Sequence, residues 1–329
     1  MTDTQNEVFK TPVNKIRLFE HGAPGSQNLK LTRKYYTEDM PDGRVKHIVQ
    51  NITDPDIVPY IPDGIGNSTD RQRIPAVLII PGGAFRRLVY NFEGEDVAKW
   101  LNSMGIAAFV LECRLPSDEH DNAEDVPLID AMRAMRVIRG RAQEFGIDEA
   151  KIGVMGFSAG GFMAALLSTA YESDVYADYK YKDEYDKLSA RPDFAVCSYP
   201  VISIDDCIEA GKRYMSEEQV LERISDGKAK ILHKYNPDKL VRPDMPPVFI
   251  CETDDDRTTL SENSVGFYMA ARKAGVSAEL HIFRTGGHGY GCGDDFAQTG
   301  EWKVLFTKWI KSCLLYTSPR PRDYAASRM

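Results

Sequence analysis

The sequence predicts an α/β protein: a mostly parallel central sheet, helices on both faces and a short helical insertion. Two observations carry this prediction. Short apolar runs alternate with stretches of helical periodicity, and the runs are apolar throughout instead of alternating with polar residues. Strands that are covered on both faces have this continuous apolar character. The chain has 329 residues, of which 43% are hydrophobic, so it can bury a large core.

The strands are predicted from the apolar runs. Weaker strand signals at 29–32 and 46–49 lie among Pro-rich turns, and we expect them to be antiparallel edge strands. Strands of the central sheet are predicted at 76–81, 106–111, 152–157, 194–199, 248–251 and 278–283.

Three helices follow from apolar residues at 3.6-residue spacing. The first has one apolar face from Leu128 to Ala142, and Gly146 is placed to end it. The second begins near Ser261 and ends at 273–275, and the last is an amphipathic C-terminal helix. One side of the second helix carries Val265, Tyr268 and Met269, and the apolar face of the last carries Trp302, Leu305, Phe306, Trp309, Ile310, Cys313 and Leu314.

The predicted organisation is a single domain over 1–315. The charged, helix-favouring stretch 204–240 lies between two strand candidates, so we interpret it as a helical insertion over the sheet edge. Residues 316–329 are rich in Pro and Arg and resemble translated cloning-adapter sequence. We expect them to be a disordered or vector-derived tail and exclude them from the fold.

Charge and composition exclude several functions. Lys and Arg number 41 against 49 Asp and Glu, a net charge of −8, which argues against nucleic-acid and anionic-membrane surfaces. The N-terminus has no pattern of a secretory leader, and no apolar run approaches the ~18 residues of a membrane helix. The six cysteines form no CxxC pair. We therefore expect a cytoplasmic protein without a metal, a cofactor or disulfides.

The main functional motif is Gly156-Phe157-Ser158-Ala159-Gly160, a G-x-S-x-G pentapeptide between a predicted strand and a predicted helix. That setting lifts a serine hydroxyl above the sheet edge on a strained turn, where a side chain at position 156 or 160 would collide with its neighbours. The pattern predicts Ser158 as a nucleophile.

A nucleophilic serine needs a base and an orienting acid. Of six histidines, His288 stands in a glycine-rich segment after the last predicted strand. Three aspartates, Asp254, Asp255 and Asp256, follow the strand at 248–251, and spacing alone does not choose among them. The chain order Ser…Asp…His is that of α/β-hydrolases.

The fourth element is an oxyanion hole. Pro81-Gly82-Gly83-Ala84 follows the first strand of the predicted central sheet, where backbone N–H groups can approach a developing oxyanion. We predict Gly83 or Ala84 as one donor and Ala159, after the serine, as the other.

Together these segments resemble the acetyl xylan esterase and bifunctional feruloyl-acetyl esterase group of α/β-hydrolases, related to hormone-sensitive-lipase-like esterases. The similar pieces span about residues 20–313 and include PGGAF, NFEGE, MGFSAGG, SYPVIS, ENS and GGHGYG. The resemblance implies a metal-free Ser-Asp-His triad that acts on acyl esters, often acetylated sugars, and its register assigns the acid to Asp256. The chain departs from the family where Thr259-Leu260 replaces a usual Val-Pro pair.

We therefore expect a serine esterase that deacylates plant-type oligosaccharides, with a small-molecule or oligosaccharide ester as its partner and an oligomeric state left open. The alternatives are a serine peptidase, a lactone hydrolase, or a non-catalytic ligand-binding homologue on the same fold. A peptidase usually has an additional gating domain, lactone hydrolases commonly use cysteine in the elbow, and a receptor typically loses the serine or the histidine.

Overall fold

Eleven strands and eight α-helices make up the computed structural model, which describes residues 9, 13–65, 73–213, 216, 218–219, 228–293 and 297–315. The tail at 316–329 and the first eight residues lie outside the described residues. The strands are β1 (Ile16–Arg17), β2 (Lys34–Asp39), β3 (Val45–Gln50), β4 (Asp56–Tyr60), β5 (Ile74–Ile80), β6 (Leu88–Val89), β7 (Ala107–Glu112), β8 (Ile147–Phe157), β9 (Ala195–Ser198), β10 (Val248–Thr253) and β11 (Ala278–Phe283).

The helices lie between these strands and after the last one. They are α1 (Asp96–Ser103), α2 (Val126–Gly140), α3 (Ala142–Phe145), α4 (Ala159–Ala170), α5 (Ile204–Lys212), α6 (Lys228–Lys234), α7 (Ser261–Lys273) and α8 (Glu301–Leu315). A five-residue π-helix, Asn91–Glu95, leads directly into α1. Among the described residues, no helix is long and apolar enough to span a bilayer.

The central sheet has eight strands in the order β1-β4-β7-β5-β8-β9-β10-β11. Every pair from β7 to β11 is parallel, whereas β4 is antiparallel to β7 and to β1. Helices α1 and α8 contact each other through Trp100 and Trp302, α2 contacts α4, and α7 packs on β10 and β11. The prediction of a mostly parallel sheet between two helical layers is confirmed, and all six predicted strands are present.

Parallel strands place their carboxyl ends at one edge of the sheet, and this edge receives the predicted site. All six residues of β7 are buried, as a strand covered on both faces requires. Strand β11 is only half-buried because it is the edge strand, and Ile282 is 40% exposed. Its predicted burial on both faces is therefore wrong.

The N-terminal predictions were partly wrong. Residues 29–32 form no strand, because the strand begins at Lys34, and 46–49 lie within β3. Strands β2, β3 and β6 form a separate antiparallel sheet, not an edge of the central one. The antiparallel edge is made by β1 and β4, and β4 is not predicted from the sequence because it contains Pro59, which argues against a strand.

Two helix predictions also need correction. The helix expected to run to Gly146 is interrupted at Arg141, and Gly146, with φ of 67°, ends the short helix α3. On α7 the side with Val265 and Met269 faces solvent, at 39% and 59% exposure. The side of α7 that faces β10 and β11 is buried instead; it includes Phe267 and also Ser264, whose Oγ donates a hydrogen bond to Glu252 at 3.3 Å.

The stretch 204–240 contains α5, α6 and a 3₁₀ turn, Pro237–Leu240, within the described residues. Helix α5 contacts α7, and the 3₁₀ turn contacts α4 and α7. These contacts agree with a helical insertion between β9 and β10. The single domain over 1–315 stays a prediction, as does the cytoplasmic location.

Candidate active site

Ser158 occupies a strained turn between β8 and α4. Its backbone has φ of 53° and ψ of −119°, an unfavourable conformation for a residue with a side chain. The turn is tight enough to require glycine on both sides. A Cβ at Gly156 would lie 1.9 Å from the oxygen of Gly160, and one at Gly160 would lie 2.0 Å from the oxygen of Ile80. The predicted collisions at both positions are confirmed.

His288 lies in the loop that follows β11. Its Nε2 is 2.8 Å from the Oγ of Ser158 across 130 residues of sequence. The loop uses left-handed backbone at Gly287 and Gly289, whose φ angles are 62° and 80°. No atom lies within 4 Å of a Cβ built on either glycine, so conformation and not space explains their identity. The structure thus brings the predicted base to the predicted nucleophile.

Asp256 is the aspartate that reaches the histidine. Its Oδ2 lies 2.6 Å from His288 Nδ1, and its Oδ1 accepts N–H bonds from Thr258 at 2.7 Å and Thr259 at 3.0 Å. Asp254 and Asp255 are exposed. The Oδ1 of Asp255 accepts the Gly287 N–H at 2.8 Å, so this side chain contacts the histidine loop but not the imidazole. The register argument for Asp256 agrees with this geometry.

The electrostatics favour a negative charge on Asp256. Burial acts to raise its pKa, but the hydrogen bond and charge of His288 and the two backbone donors outweigh burial, so the pKa lies below its usual value. The neighbouring acid Glu252 is fully buried, and burial together with the Asp256 charge raises its pKa well above the usual value. Of the two acids, Asp256 is the one poised to orient an imidazole and stabilise its protonated form.

Thr259, the departure from the family pattern, adds a hydroxyl at this point. Its Oγ1 lies 3.1 Å from both Asp256 Oδ2 and His288 Nδ1, and 3.2 Å from the carbonyl oxygen of Tyr199. A valine at this position, as the sequence resemblance implies for the family, could make none of these hydrogen bonds.

The predicted oxyanion loop follows β5 with unusual backbone geometry. Gly83, Ala84 and Phe85 have successive φ angles of 136°, 56° and 59°. Within the described part of the chain, the N–H groups of Gly83, Ala84 and Ala159 have no hydrogen-bond partner, whereas most backbone donors in this fold do. All three predicted donors are therefore free to bind an acceptor.

Sequence reasoning missed two buried side chains behind this loop. Glu93 Oε2 accepts the Gly82 N–H at 2.8 Å, and Glu93 Oε1 accepts the Tyr199 hydroxyl at 2.9 Å. Both residues lie in segments that carried the family resemblance, NFEGE and SYPVIS. An acidic residue in a polar segment has the pattern of a solvated surface residue. The only signal for Glu93 was therefore that its segment, NFEGE, is one of those that resemble the family.

A narrow cavity lies beside the elbow, and its lining is mostly apolar. Its lining includes Gly82, Phe85, Pro127, Ala159 and Met163.

The sheet, the serine elbow at its carboxyl edge and the histidine after the last strand define the class of protein: the chain is an α/β-hydrolase. Residues 65–270 match the BD-FAE family, and the chain belongs to this family. The resemblance found in the sequence is confirmed.

The chain is similar to three proteins of known name. An acetylxylan esterase of Xylanibacter ruminicola is 30% identical over 252 residues, which are 76% of this chain and 47% of that protein. Endo-1,4-beta-xylanase B of Butyrivibrio fibrisolvens is 31% identical over 227 residues, 69% of this chain and 34% of that protein. The crystal structure of an acetyl ester-xyloside bifunctional hydrolase from Caldicellulosiruptor lactoaceticus is 38% identical with a TM-score of 0.62, covering 80% of this chain and 89% of that one.

Two of these relatives are named for the hydrolysis of acetyl esters, and the third is named as a xylanase. The chain spans about half the length of the acetylxylan esterase and about a third of the xylanase. Their substrates are therefore properties of those longer proteins.

Proposed function

We propose that the protein hydrolyses carboxylic esters through a triad of Ser158, His288 and Asp256. One observation carries the proposal: hydrogen bonds connect Ser158 Oγ to His288 Nε2 at 2.8 Å and His288 Nδ1 to Asp256 Oδ2 at 2.6 Å, ending on a strained elbow. This is the nucleophile–base–acid arrangement that acyl transfer requires.

In the first step, His288 Nε2 takes the proton of Ser158 while Oγ attacks the ester carbonyl. The Ala159 N–H, together with that of Gly83 or Ala84, binds the oxyanion of the tetrahedral intermediate. His288 then protonates the leaving alcohol, which departs as the acyl-enzyme forms. Water attacks the acyl-enzyme, gives its proton to the same imidazole, and releases the carboxylic acid and the serine hydroxyl. Asp256 holds the imidazole tautomer throughout and stabilises its charge.

The substrates we propose are acetyl esters of xylo-oligosaccharides. The names of the relatives support the acetyl group and the xylan-type sugar. Two of the relatives are named for acetyl esters and none of the three for feruloyl esters, which favours acetyl over feruloyl substrates. Hydrolysis of acetyl, butyryl and feruloyl esters and of acetylated xylo-oligosaccharides tests this order. We expect kcat/KM to fall from acetyl to butyryl to feruloyl, and a feruloyl preference would contradict the acyl assignment.

The triad is tested by Ser158→Ala. We expect at least an about 10³-fold loss of kcat with the fold retained, because the nucleophile is removed from the sheet edge. A fluorophosphonate probe should label the wild-type protein and leave Ser158→Ala unlabelled. The matched control is Ser103→Ala on the exposed end of α1, which should keep both activity and labelling. A Ser158→Ala protein with a tenth of the wild-type kcat would refute the assignment, and an unlabelled, inactive wild type would favour a non-catalytic homologue.

A further inference from the structure

A continuous set of hydrogen bonds joins the oxyanion loop to the histidine loop behind the candidate site. Glu93 accepts from the Gly82 N–H at 2.8 Å and from the Tyr199 hydroxyl at 2.9 Å, and that hydroxyl accepts the Gly291 N–H at 2.9 Å. Gly82 opens the oxyanion loop, and Gly291 ends the glycine-rich segment around His288. We call these four residues the Glu93–Tyr199 bridge.

We propose that Glu93 is a positioning residue, which through Tyr199 holds the oxyanion donors and the catalytic histidine in one fixed relative geometry. The inference rests on the proposed ester hydrolysis and deepens it. Glu93 does not touch the nucleophile in this arrangement, and its effect passes through the backbone of Gly82.

The oxyanion loop needs such support because its backbone is strained. Ala84 and Phe85 both have left-handed φ angles, 56° and 59°, and residues with side chains keep such conformations only where surrounding contacts enforce them. Gly82 is packed tightly against the elbow: a Cβ there would lie 2.8 Å from Ser158 Cβ and 2.7 Å from Glu93 Oε2. The carboxylate therefore fixes the loop at the point where it contacts the nucleophile's own turn.

The donors around Glu93 require a carboxylate and not an amide. The Gly82 N–H and the Tyr199 O–H donate to different oxygens of Glu93, so both oxygens act as acceptors. Burial raises the pKa of this carboxyl, and the charge of His288 and these two hydrogen bonds act in the opposite direction. A glutamine would turn its NH₂ group toward one of the two donors. If the NH₂ group of a glutamine faced Tyr199, the hydroxyl would accept a second hydrogen bond besides the one from the Gly291 N–H. The proton of the hydroxyl would then lose the acceptor that Glu93 provides.

The local backbone explains how a buried acid reaches this position. Glu93 lies in the π-helix Asn91–Glu95, a wide turn that often occurs at functional sites. Gly94 lets this turn approach the sheet, since a Cβ there would lie 3.0 Å from Val110 and 3.4 Å from Pro81. The neighbouring acid Glu95 points outward and pairs with Lys99 at 2.7 Å. One turn thus offers a buried glutamate and a half-buried, ion-paired one for comparison.

The test compares Glu93→Gln with the control Glu95→Gln on p-nitrophenyl acetate. We expect Glu93→Gln to lower kcat by about 10²-fold, the loss typical of one misplaced oxyanion donor, with KM changed less than about threefold. A trifluoromethyl ketone, which forms a tetrahedral oxyanion adduct with the serine, should bind more weakly by the same factor as kcat/KM falls. Glu95→Gln should match the wild type in every measurement.

Active-site titration distinguishes a positioning role from a general loss of stability. A merely destabilised protein has fewer active sites, but each remaining site keeps the wild-type kcat. If Glu93→Gln does not fold, Tyr199→Phe removes one bond of the bridge and retains the ring, and we expect a loss of about tenfold in kcat. A folded variant with wild-type kcat and inhibitor affinity per titrated site overturns the inference while the triad stands. An inactive, unlabelled wild type overturns the ester-hydrolase proposal first and the inference with it.

Discussion

The two ends of the central sheet are built in opposite ways. At the carboxyl end, Ala84, Ser158 and Tyr199 have left-handed φ angles of 56°, 53° and 37°. At the amino end, Asp193 lies just before β9, where its Oδ2 accepts the Ile152 N–H at 3.0 Å and pairs with Arg139 at 3.2 Å. The carboxyl end holds strained backbone and N–H groups that have no hydrogen-bond partner among the described residues. At the amino end, the buried carboxylate of Asp193 is paired with a backbone N–H and with Arg139.

This difference shows where the molecule stores strain and where it gains stability. Each strained residue costs about 1–3 kcal/mol, which the rest of the fold has to offset. The buried apolar strands between the two ends contribute to that offset, and breaking a buried pair at the amino end would leave an uncompensated charge. Changes to the strained loops and the triad at the carboxyl end should therefore act on catalysis, and changes to the Asp193 cluster at the amino end should act on stability.

The largest expected effect is at the carboxyl end. Asp256→Asn should lower kcat by about 10²- to 10⁴-fold, because an amide favours the wrong imidazole tautomer and no longer stabilises its charge. Steady-state kinetics on an acetyl ester, with thermal melts to check folding, measure this.

The adjacent aspartates are the controls for that change. Asp254→Asn alters an exposed side chain and should leave kcat near the wild-type value. Asp255→Asn should cost little, since the amide oxygen can still accept the Gly287 N–H. A folded but inactive Asp254→Asn or Asp255→Asn would move the acid to that position.

At the amino end the effect should be on stability alone. Asp193→Asn removes the charge that faces buried Arg139, and we expect the free energy of unfolding to fall by about 3 kcal/mol. Urea denaturation gives this value, and kcat per titrated active site should not change. A loss of kcat without a loss of stability would contradict the division between the two ends.

A smaller effect concerns pH and the loop after β7, also at the carboxyl end. His120 is buried, with Nδ1 3.0 Å from Ser26 Oγ and no partner for Nε2 within the described residues. Burial, and then the charge of Arg114, lowers its pKa from 6.5 to about 4. The unfolded chain therefore binds a proton between pH 6.5 and 4 that the folded chain does not, so stability falls as pH falls through this window.

His120→Gln removes that titration. We expect the Tm of the wild type to drop more steeply between pH 7 and pH 4.5 than the Tm of His120→Gln, as differential scanning fluorimetry across this range would measure. Parallel Tm profiles would show that His120 takes up its proton equally in both states.

The sequence was sufficient for those parts of the site that depend on short segments. The elbow around Ser158 and the loop around His288 each follow a predicted strand. Each also contains glycines that the conformation of the segment itself requires, so their motifs could be recognised. The choice of Asp256 needed the family register, because three consecutive aspartates have the same local pattern.

The remaining features depend on contacts distant in sequence. Glu93 and Tyr199 are 106 residues apart, and nothing in either segment indicates that a hydroxyl and a carboxylate meet. Likewise, Val265 and Met269 follow helical spacing, yet the buried side of α7 is set by its place against β10 and β11. Burial of a side chain is decided by its neighbours, and a single helix pattern does not identify them.

The π-helix before α1 makes the position of Glu93 depend on the number of residues in the segment Asn91–Glu95. A π turn holds one residue more than an α turn, so a one-residue deletion within Asn91–Glu95 would close the turn to α-helical width and move Glu93 away from its place behind Gly82. A homologous sequence with a gap there could keep its serine, aspartate and histidine and still lose the carboxylate behind Gly82. Alignment gaps at this turn thus separate homologues that can form the bridge from those that must support the oxyanion loop in another way.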